Sequence, residues 1–206
     1  VNPDLTWYNV RIYDIGLDLS LWNNLLFFEF DIYQRDREGI PATRNASLPN
    51  YFGAEMPQEN LNGDRTRGLE FVAGHTNRIG ELNYTVRANF NIARTRNRYQ
   101  EEGSYASSWD RWRNQKTNRY SDFIWGYEPA GQFQNEWEVN SFPIKNGTIG
   151  NRRELPGDYY YRDVNGDGMI NIRDEMPVFR SGTPWVHYGL SIDLSWKNFS
   201  FYTLFQ

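Results

Sequence analysis

Side-chain oxygens recur at alternate positions in one short stretch of this sequence, residues 163–175, which reads DVNGDGMINIRDE. Such spacing is typical of a twelve-residue calcium-binding loop, in which alternate side chains and one backbone carbonyl surround the cation. Gly168 falls at the sixth position of that frame, where such loops need a glycine for a sharp turn. The predicted Ca²⁺ ligands are the side chains of Asp163, Asn165, Asp167, Asn171 and Asp174 and the backbone carbonyl of Met169.

The match is incomplete at the twelfth position, which is Asp174 where calcium loops usually carry a bidentate glutamate. No helical pattern flanks the loop, so a helix–loop–helix sensor is not expected. The alternative is a tight turn whose carboxylates accept backbone amides without any metal. If Ca²⁺ binds, its role is structural, because ordering a long loop costs conformational entropy. An organic cofactor is not expected, since the chain lacks a glycine-rich phosphate-binding motif.

The segment that precedes this loop is rich in aromatic residues. Flat rings stack on sugars or on peptide side chains, which makes them candidates for contact with a substrate or partner. The alternative, which the pattern favours, is that the rings form a small core of the segment itself or meet a partner protein. The candidates are Trp109, Trp112, Trp125, Tyr127 and Trp137.

Residue types that would indicate an enzyme or a nucleic-acid-binding protein are poorly represented. His75 and His187 are the only histidines, and neither lies at a recognisable spacing from a nucleophile. Paired carboxylates such as Glu101 and Glu102 could serve a glycosidase, but nothing sets two of them across a cleft. The net charge of −4 gives no general argument for binding nucleic acid. We therefore expect neither catalysis nor a nucleic-acid partner.

Basic residues form two clusters, one at Arg94, Arg96 and Arg98 and one between Arg111 and Arg119. They could meet an anionic lipid surface or an acidic cargo. The alternative, which we prefer from the sequence, is a solvated strand end followed by a solvated loop.

The elements that must hold these residues alternate with a period of two. In LNYTVRANFNIA, residues 82–93, one parity is apolar and the other is almost entirely polar, which predicts a strand with two unlike faces. Six such segments are predicted as strands: 13–21, 26–32, 67–76, 82–93, 188–196 and 199–205.

The connections between these strands alternate between short and long. Tight turns are predicted at 22–24, 77–81 and 197–198, and long links at 37–65 and 97–184. This alternation is typical of a transmembrane β-barrel, although a soluble antiparallel sandwich also has one apolar and one polar face. Charges in the middle of the polar face favour a water-filled lumen and hence the barrel. They are Asp14, Asp18, Glu29, Asp31, Arg87 and Asp193.

Several stretches, taken in order, resemble the SusC/RagA family of TonB-dependent outer-membrane transporters. They include NPDLTWYNVRIYDIGLDLSLWNNLLFFEFDIYQRD, DRTRGLEFVAG, FIWGYEPAGQFQNEWEVN and LPGDYYYRDVNGDGMINI. The resemblance covers most of the chain and is weakest over 98–120 and 139–152. It implies an all-β fold, an antiparallel transmembrane β-barrel segment of about six strands of a larger plugged barrel, with long extracellular loops. Residues 1–206 would form part of the C-terminal β-barrel domain, without the plug or the N-terminal region.

The resemblance also implies partners and a location. Such transporters lie in the cell outer membrane of Gram-negative Bacteroidota, and outer-membrane lipid surrounds them. They import an oligosaccharide or peptide cargo in complex with a SusD-like surface lipoprotein, driven by the TonB complex through the missing N-terminal region. The chain begins and stops within patterned sequence, so we expect a segment of a longer polypeptide. The competing interpretation is a secreted, calcium-stabilised β-sandwich module that binds carbohydrate.

Overall fold

The computed structural model describes residues 2–44, 56–180 and 184–206. The chain divides into two compact units. The sheet unit comprises residues 1–104, 116–121 and 183–206, and the loop unit comprises residues 105–115 and 122–182. In chain order the elements are β1 (Asn9–Leu21), β2 (Leu26–Thr43), β3 (Gln58–Ile79), β4 (Leu82–Tyr99), α1 (Ser108–Asn114), β5 (Phe123–Gly126), β6 (Pro129–Gln132), α2 (Glu136–Ser141), β7 (Lys145–Asn146), β8 (Tyr159–Tyr161), β9 (Met169–Ile170), β10 (Met176–Arg180), β11 (Val186–Trp196) and β12 (Phe199–Phe205).

The sheet unit is one six-stranded antiparallel sheet in the order β1-β2-β3-β4-β11-β12. Its register sets apolar residues side by side across neighbouring strands, since directly opposed residues point to the same face. One such row crosses five strands and consists of Leu17, Phe30, Phe71, Phe90 and Tyr188. All six predicted strands are therefore confirmed as members of a single antiparallel sheet.

The apolar face of this sheet is open rather than covered. Ile15 is 74% exposed and Phe199 is 72% exposed, although both belong to the apolar parity of their strands. A sandwich would bury this face against a second sheet, because the inner faces of the two sheets form its core. The exposed apolar face therefore disagrees with the sandwich interpretation.

Within its described residues, the link predicted over 37–65 is mostly paired strand, which corrects that expectation. Residues 37–43 continue β2 and residues 58–65 belong to β3, while residues 45–55 lie outside the described part of the chain. The extension is stabilised by ion pairs across the two strands, Arg37 with Asp64 and Arg65 with Asp36. Polar residues lie on both faces of this extension, so the alternation of polar and apolar positions is lost there.

Tight hairpins form at the three predicted places, but the second is shorter than predicted, since residues 77–79 are paired in β3 and only 80–81 make the turn. Asn23 and Asn24 follow β1 at φ of 57° and 67°, and Gly80 follows β3 at φ of 61°. Asparagine and glycine adopt this left-handed region more readily than other residues do. Lys197 makes the third turn, between β11 and β12, with φ of 55°.

Two glycines of β3 lie under aromatic rings of β2 on the polar face of the sheet. Gly68 is opposite Tyr33, and Gly74 is opposite Phe27. A Cβ atom added to Gly68 would lie 2.3 Å from Tyr33 Cζ, and one added to Gly74 would lie 2.0 Å from Phe27 Cζ. Only glycine therefore leaves room for these two rings.

The loop unit, which lies within the long link predicted over 97–184, contains short paired strands and helices. β5 pairs with β10, β6 pairs with β8, and β7 pairs in parallel with β9. Ser107 and Asn135 cap the N-termini of α1 and α2 through their side-chain oxygens. Phe133, Val139 and Ile170 are buried and form the centre of this unit. Within the described ranges, no helix is both long enough and apolar enough to cross a membrane.

Candidate functional site

The oxygen-rich loop, residues 163–175, folds as a series of tight turns around its carboxylates. Asp163 Oδ1 accepts hydrogen bonds from the Gly166 amide at 2.7 Å and the Asp167 amide at 3.2 Å. Asp163 Oδ2 accepts one from the Gly168 amide at 2.6 Å. Gly166 and Gly168 have φ of 75° and 81°, a region that glycine enters without strain. Asp163 therefore organises the first half of the loop.

Asp174 organises the second half and is fully buried, with 0% exposure. Its Oδ1 accepts a hydrogen bond from the Val164 amide at 2.9 Å, and its Oδ2 accepts one from the Asn171 amide at 2.8 Å. The side chain of Asn171 in turn accepts from the Arg173 amide at 2.9 Å, which completes a capping box around the short 3₁₀ turn Ile172–Asp174. A buried carboxylate thus joins the start and the end of the loop.

Three of the predicted ligands converge on one point, the Oδ2 atom of Asp167. The side-chain amides of Asn165 and Asn171 donate to this oxygen at 3.0 Å and 3.4 Å. The hydrogen bond from Asn165 and that from the Met169 amide lower the pKa of Asp167 from its ordinary value. The backbone carbonyl of Met169, the sixth predicted ligand, accepts a hydrogen bond from Asn171 Nδ2 at 3.3 Å.

These contacts bear on the predicted Ca²⁺ site in two ways. Asp163 and Asp174 hold backbone amides, as the metal-free alternative predicts, and no group of three or more His, Cys, Asp or Glu side chains in the described residues is arranged to hold a metal. In contrast, the convergence of Asn165, Asp167 and Asn171 suits an oxygen-coordinated cation, because the oxygen and nitrogen of an Asn side chain exchange places on rotation. Calcium at this loop stays a prediction.

Two of the predicted aromatic contact residues form an edge-to-face pair in the loop unit. The rings of Trp112 and Trp125 lie 4.7 Å apart at 86°. The Arg113 guanidinium lies 4.5 Å from the centre of the Trp125 ring and forms an ion pair with Glu175 at 2.7 Å. This arrangement links α1, β5 and the end of the oxygen-rich loop through stacking and charge.

Tyr127 and Trp109 also lie inside this unit. The Tyr127 ring is 5.6 Å from the Tyr161 ring, and burial, together with the charges of Glu175 and Asp174, raises the pKa of Tyr127. The indole Nε1 of Trp109 is buried and has no hydrogen-bond acceptor among the described residues.

Trp137 differs from the other four candidates because it is 75% exposed on α2. It borders a cleft of about 510 Å³ whose aromatic lining includes Phe133, Phe142 and Tyr160. The rings of Phe142 and Tyr160 lie 4.6 Å apart and form one wall of the cleft. Neither Phe142 nor Tyr160 belongs to a periodic pattern, so the sequence gives no signal for their part in this cleft.

The polar face of the six-stranded sheet carries the mid-strand charges that the sequence predicted. Asp18 lies opposite Glu29, which forms an ion pair with Arg87 at 3.8 Å. Glu70, two strands away from β1 on the same face, accepts a hydrogen bond from Asn91 at 2.8 Å. The mid-strand charges that the register gathers on this face are Arg87, Asp14, Asp18, Glu29, Asp31, Glu70 and Asp193, and Arg35, Arg37, Asp64 and Arg78 continue the same face towards the strand ends.

Known proteins resemble this chain in sequence and in fold. TonB-dependent receptor P3 of Formosa agariphila is 28% identical over 215 residues, and TonB-dependent receptor P26 of the same organism is 23% identical over 213 residues. Both matches cover 100% of this chain but only 21% and 20% of those receptors, so the chain spans about a fifth of their length. No protein-family profile matches the chain.

Solved structures with the same fold include the RagAB peptide transporter. It matches with a TM-score of 0.64 and 21% identity, covering 97% of this chain and 21% of that chain. The RagAB peptide importer in its open-open state matches with a TM-score of 0.66 and 21% identity, covering 97% of this chain and 20% of that chain. These similarities agree with the all-β antiparallel architecture described above.

Proposed function

We propose that this chain, a segment of a TonB-dependent receptor of the SusC/RagA type, forms part of the wall of a β-barrel that imports peptides or oligosaccharides across the outer membrane. Residues 1–206 would belong to the C-terminal barrel domain. Because the chain spans about a fifth of its curated relatives, the plug and the region that contacts the TonB complex are assigned to the remaining length of such receptors.

The two unlike faces of the six-stranded sheet carry this proposal. In β11 every second residue from Val186 to Trp196 lies on the apolar face. At about 3.4 Å per residue and a tilt of about 40°, this run rises by about 26 Å, which matches the apolar band of an outer-membrane barrel. An apolar face of this size is unfavourable in water, at about 25 cal/mol for each Å² exposed. Lipid removes that cost.

The opposite face would line the lumen of the barrel. Its acidic residues and the Glu29–Arg87 ion pair are accommodated by water, which hydrocarbon would not supply. The transport step would be mechanical: the TonB complex displaces the plug and cargo passes along the polar wall. No bond chemistry is required of this segment.

The lengths of the connections between strands support an orientation for the remaining parts of the chain. Short turns of outer-membrane barrels face the periplasm, and long connections face the exterior. The loop unit would therefore lie outside the cell, on the side where a SusD-like lipoprotein would hold its cargo. Trp137 is the exposed aromatic residue best suited to such a contact, because it borders the cleft formed by Phe133, Phe142 and Tyr160.

Ca²⁺ would act within the loop unit as a structural ion. Asn165, Asp167 and Asn171 meet at Asp167 Oδ2, and a cation there would replace two side-chain hydrogen bonds with coordination. Its contribution would be to order the loop rather than to take part in transport.

The membrane assignment is tested by placing the same new charge on either face. Leu17 lies on the apolar face of β1 and Asp18 lies on the polar face, opposite Glu29. In the full-length receptor, Leu17→Arg should destabilise the barrel, lowering its free energy of unfolding in the bilayer by about 2–4 kcal/mol. The matched control Asp18→Arg should fold normally, since its guanidinium would meet Glu29 in the aqueous lumen. Equal tolerance of both changes would contradict a lipid-facing sheet.

Transport is tested in cells that carry the full-length receptor. Uptake of labelled peptides and oligosaccharides should require both the receptor and an intact TonB complex, and a surface lipoprotein should co-purify with the receptor. Uptake that persists without TonB would contradict the proposed energy coupling. Uptake of one cargo class alone would identify the substrate.

A further inference from the structure

The cleft beside Trp137 has a preformed aromatic lining. The rings of Phe133, Phe142 and Tyr160 contact one another in all three pairs, with centres 5.3, 5.2 and 4.6 Å apart. Phe133 is buried, so this aromatic cluster is anchored in the loop unit. The indole of Trp137 borders the same cleft and is 75% exposed. An exposed ring beside a fixed cluster of rings is a surface on which a ligand can stack.

The polar side chains of the lining use their donors on the main chain. Gln132 Nε2 donates to the Gly157 carbonyl at 2.6 Å, and Gln134 Nε2 donates to the Gln132 carbonyl at 2.8 Å. Because both acceptors are carbonyls, the bonded atom of each amide must be its nitrogen. The Ser141 hydroxyl likewise donates to the Trp137 carbonyl at 2.7 Å. These three side chains therefore offer a ligand oxygen acceptors rather than donors.

Glu138 is the only charged residue among the described residues that line the cleft. Its Oε2 accepts the Gln134 amide at 2.8 Å, while its own amide donates to Asn135 Oδ1 at 2.9 Å. These two contacts fix the side chain in the first turn of α2. Lys145 reaches the same segment, but its ammonium donates to the Phe142 carbonyl. Within the described ranges Glu138 forms no ion pair, so the cleft presents a positioned carboxylate whose charge is not neutralised.

A cationic side chain matches this combination of groups. Lysine and arginine are attracted both to the faces of aromatic rings and to a carboxylate, and their methylene groups cover apolar surface. Their N–H groups can also meet the side-chain oxygens of Gln132 and Gln134. A neutral sugar would use the rings but not the charge, and an anion would be repelled by Glu138. On the polar face of the sheet unit, acidic residues likewise outnumber basic ones.

We propose that this cleft binds the cationic side chain of a lysine or arginine in a peptide cargo. Trp137 and the aromatic cluster contact the side chain along its length, and Glu138 neutralises its charge. The inference rests on the import function proposed above and narrows the cargo to basic peptides.

Surface plasmon resonance on the full-length receptor in nanodiscs tests the site with three probes. They are a short neutral peptide with one central lysine, the same peptide with that lysine acetylated on Nζ, and a neutral glucan hexasaccharide. Acetylation removes the charge but keeps the methylene groups. The lysine peptide should bind about tenfold more tightly than the acetylated one, with about threefold from the carboxylate and about threefold from the rings. The hexasaccharide should bind no better than the acetylated peptide.

Variants of the receptor separate the two contributions. Glu138→Gln keeps an oxygen for the Gln134 amide and loses only the charge, so the preference for the lysine peptide should fall to about threefold. Trp137→Ala should lower it to a similar extent, and the double variant should abolish it. The matched control Glu136→Gln removes an exposed acid of α2 that does not line the cleft, and it should keep the full preference.

Three results would overturn the inference. The two peptides could bind alike, Glu138→Gln could keep the full preference, or the hexasaccharide could bind more tightly than the lysine peptide in a manner that Trp137→Ala abolishes. Thermal unfolding establishes that each variant is folded, and Trp137→Phe replaces Trp137→Ala if the latter is not. TonB-dependent uptake without any preference for lysine would overturn this site and leave the proposed function intact. Selective binding of the lysine peptide without TonB-dependent uptake would support the site and contradict the proposed function.

Discussion

Replacing Asp174 by asparagine tests how the oxygen-rich loop is held. The wild-type carboxylate is fully buried and accepts from the Val164 amide through Oδ1 and from the Asn171 amide through Oδ2. Asparagine preserves the shape but has one oxygen, so one of these amides would face an NH₂ group. The loss of one buried hydrogen bond to a charged acceptor costs about 1.5–3 kcal/mol.

The expected consequence is that backbone amides of this loop alone become less protected from hydrogen exchange. If the free energy of opening the loop falls by about 2 kcal/mol, the open state becomes about thirtyfold more populated. Hydrogen–deuterium exchange of the full-length receptor, measured with a calcium chelator present, should therefore show faster exchange in peptides that cover 163–175. Glu136→Gln is the matched control, because Glu136 is an exposed acid on α2. It should leave exchange unchanged.

Two results would refute this reasoning about Asp174. If Asp174→Asn exchanges like the wild-type protein, the buried carboxylate does not hold the two halves of the loop together. If instead β2 and β3 lose protection to the same extent as the loop, then the effect is global and the contacts of Asp174 do not explain it.

Two further predictions concern the same loop. Calorimetry on the full-length receptor should detect Ca²⁺ binding that Asp163→Ala and Asp167→Ala abolish and Glu136→Gln preserves; binding that survives both alanine variants would belong to another site. Because the pKa of Asp167 is lowered in the folded protein, its contribution to loop order is fully present above its ordinary pKa of 3.8 and is lost as the pH falls through the lowered value. The hydrogen-exchange rate of the loop, corrected for intrinsic rates, should therefore be constant from about pH 7 to about pH 5 and rise only at lower pH. The variant Asp167→Asn should abolish that rise. A change in the exchange rate near neutral pH would contradict this assignment.

The strands could be predicted from the sequence only where their two faces differ. The sequence predicts that β4 ends at residue 93, but the strand continues to Tyr99. The prediction falls short because Arg94, Arg96 and Arg98 alternate with other polar residues, so the two faces of the strand do not differ in polarity there. The same loss of contrast concealed the extensions of β2 and β3. Ion pairs across strands stabilise these regions, and such pairs depend on register rather than on local pattern.

The loop unit was harder to predict because its elements are short. α2 has 6 residues, and such a helix is marginal without tertiary contacts. Its stability depends on burial of Val139, the one buried residue of the helix, and a single buried position gives no period in the sequence. The residues of the oxygen-rich loop were found because their spacing is fixed. Whether Asp174 caps amides or binds a cation could not be read from spacing, since one carboxylate serves either purpose.

Gly68 and Gly74 of β3 leave space for aromatic rings of β2, and these notches allow only one register between the two strands. Slipping the strands by one residue would exchange their faces, which the apolar band already forbids. Slipping them by two residues keeps the faces, yet it would set the Phe27 ring against Val72 or Thr76, where a Cβ atom occupies the space that Gly74 leaves empty. The rings of Phe27 and Tyr33 and the notches of Gly74 and Gly68 have the same six-residue spacing on their strands. An insertion of two residues between Phe27 and Tyr33, or between Gly68 and Gly74, would therefore keep the alternation of polar and apolar residues. It would still prevent β2 and β3 from pairing along their whole length.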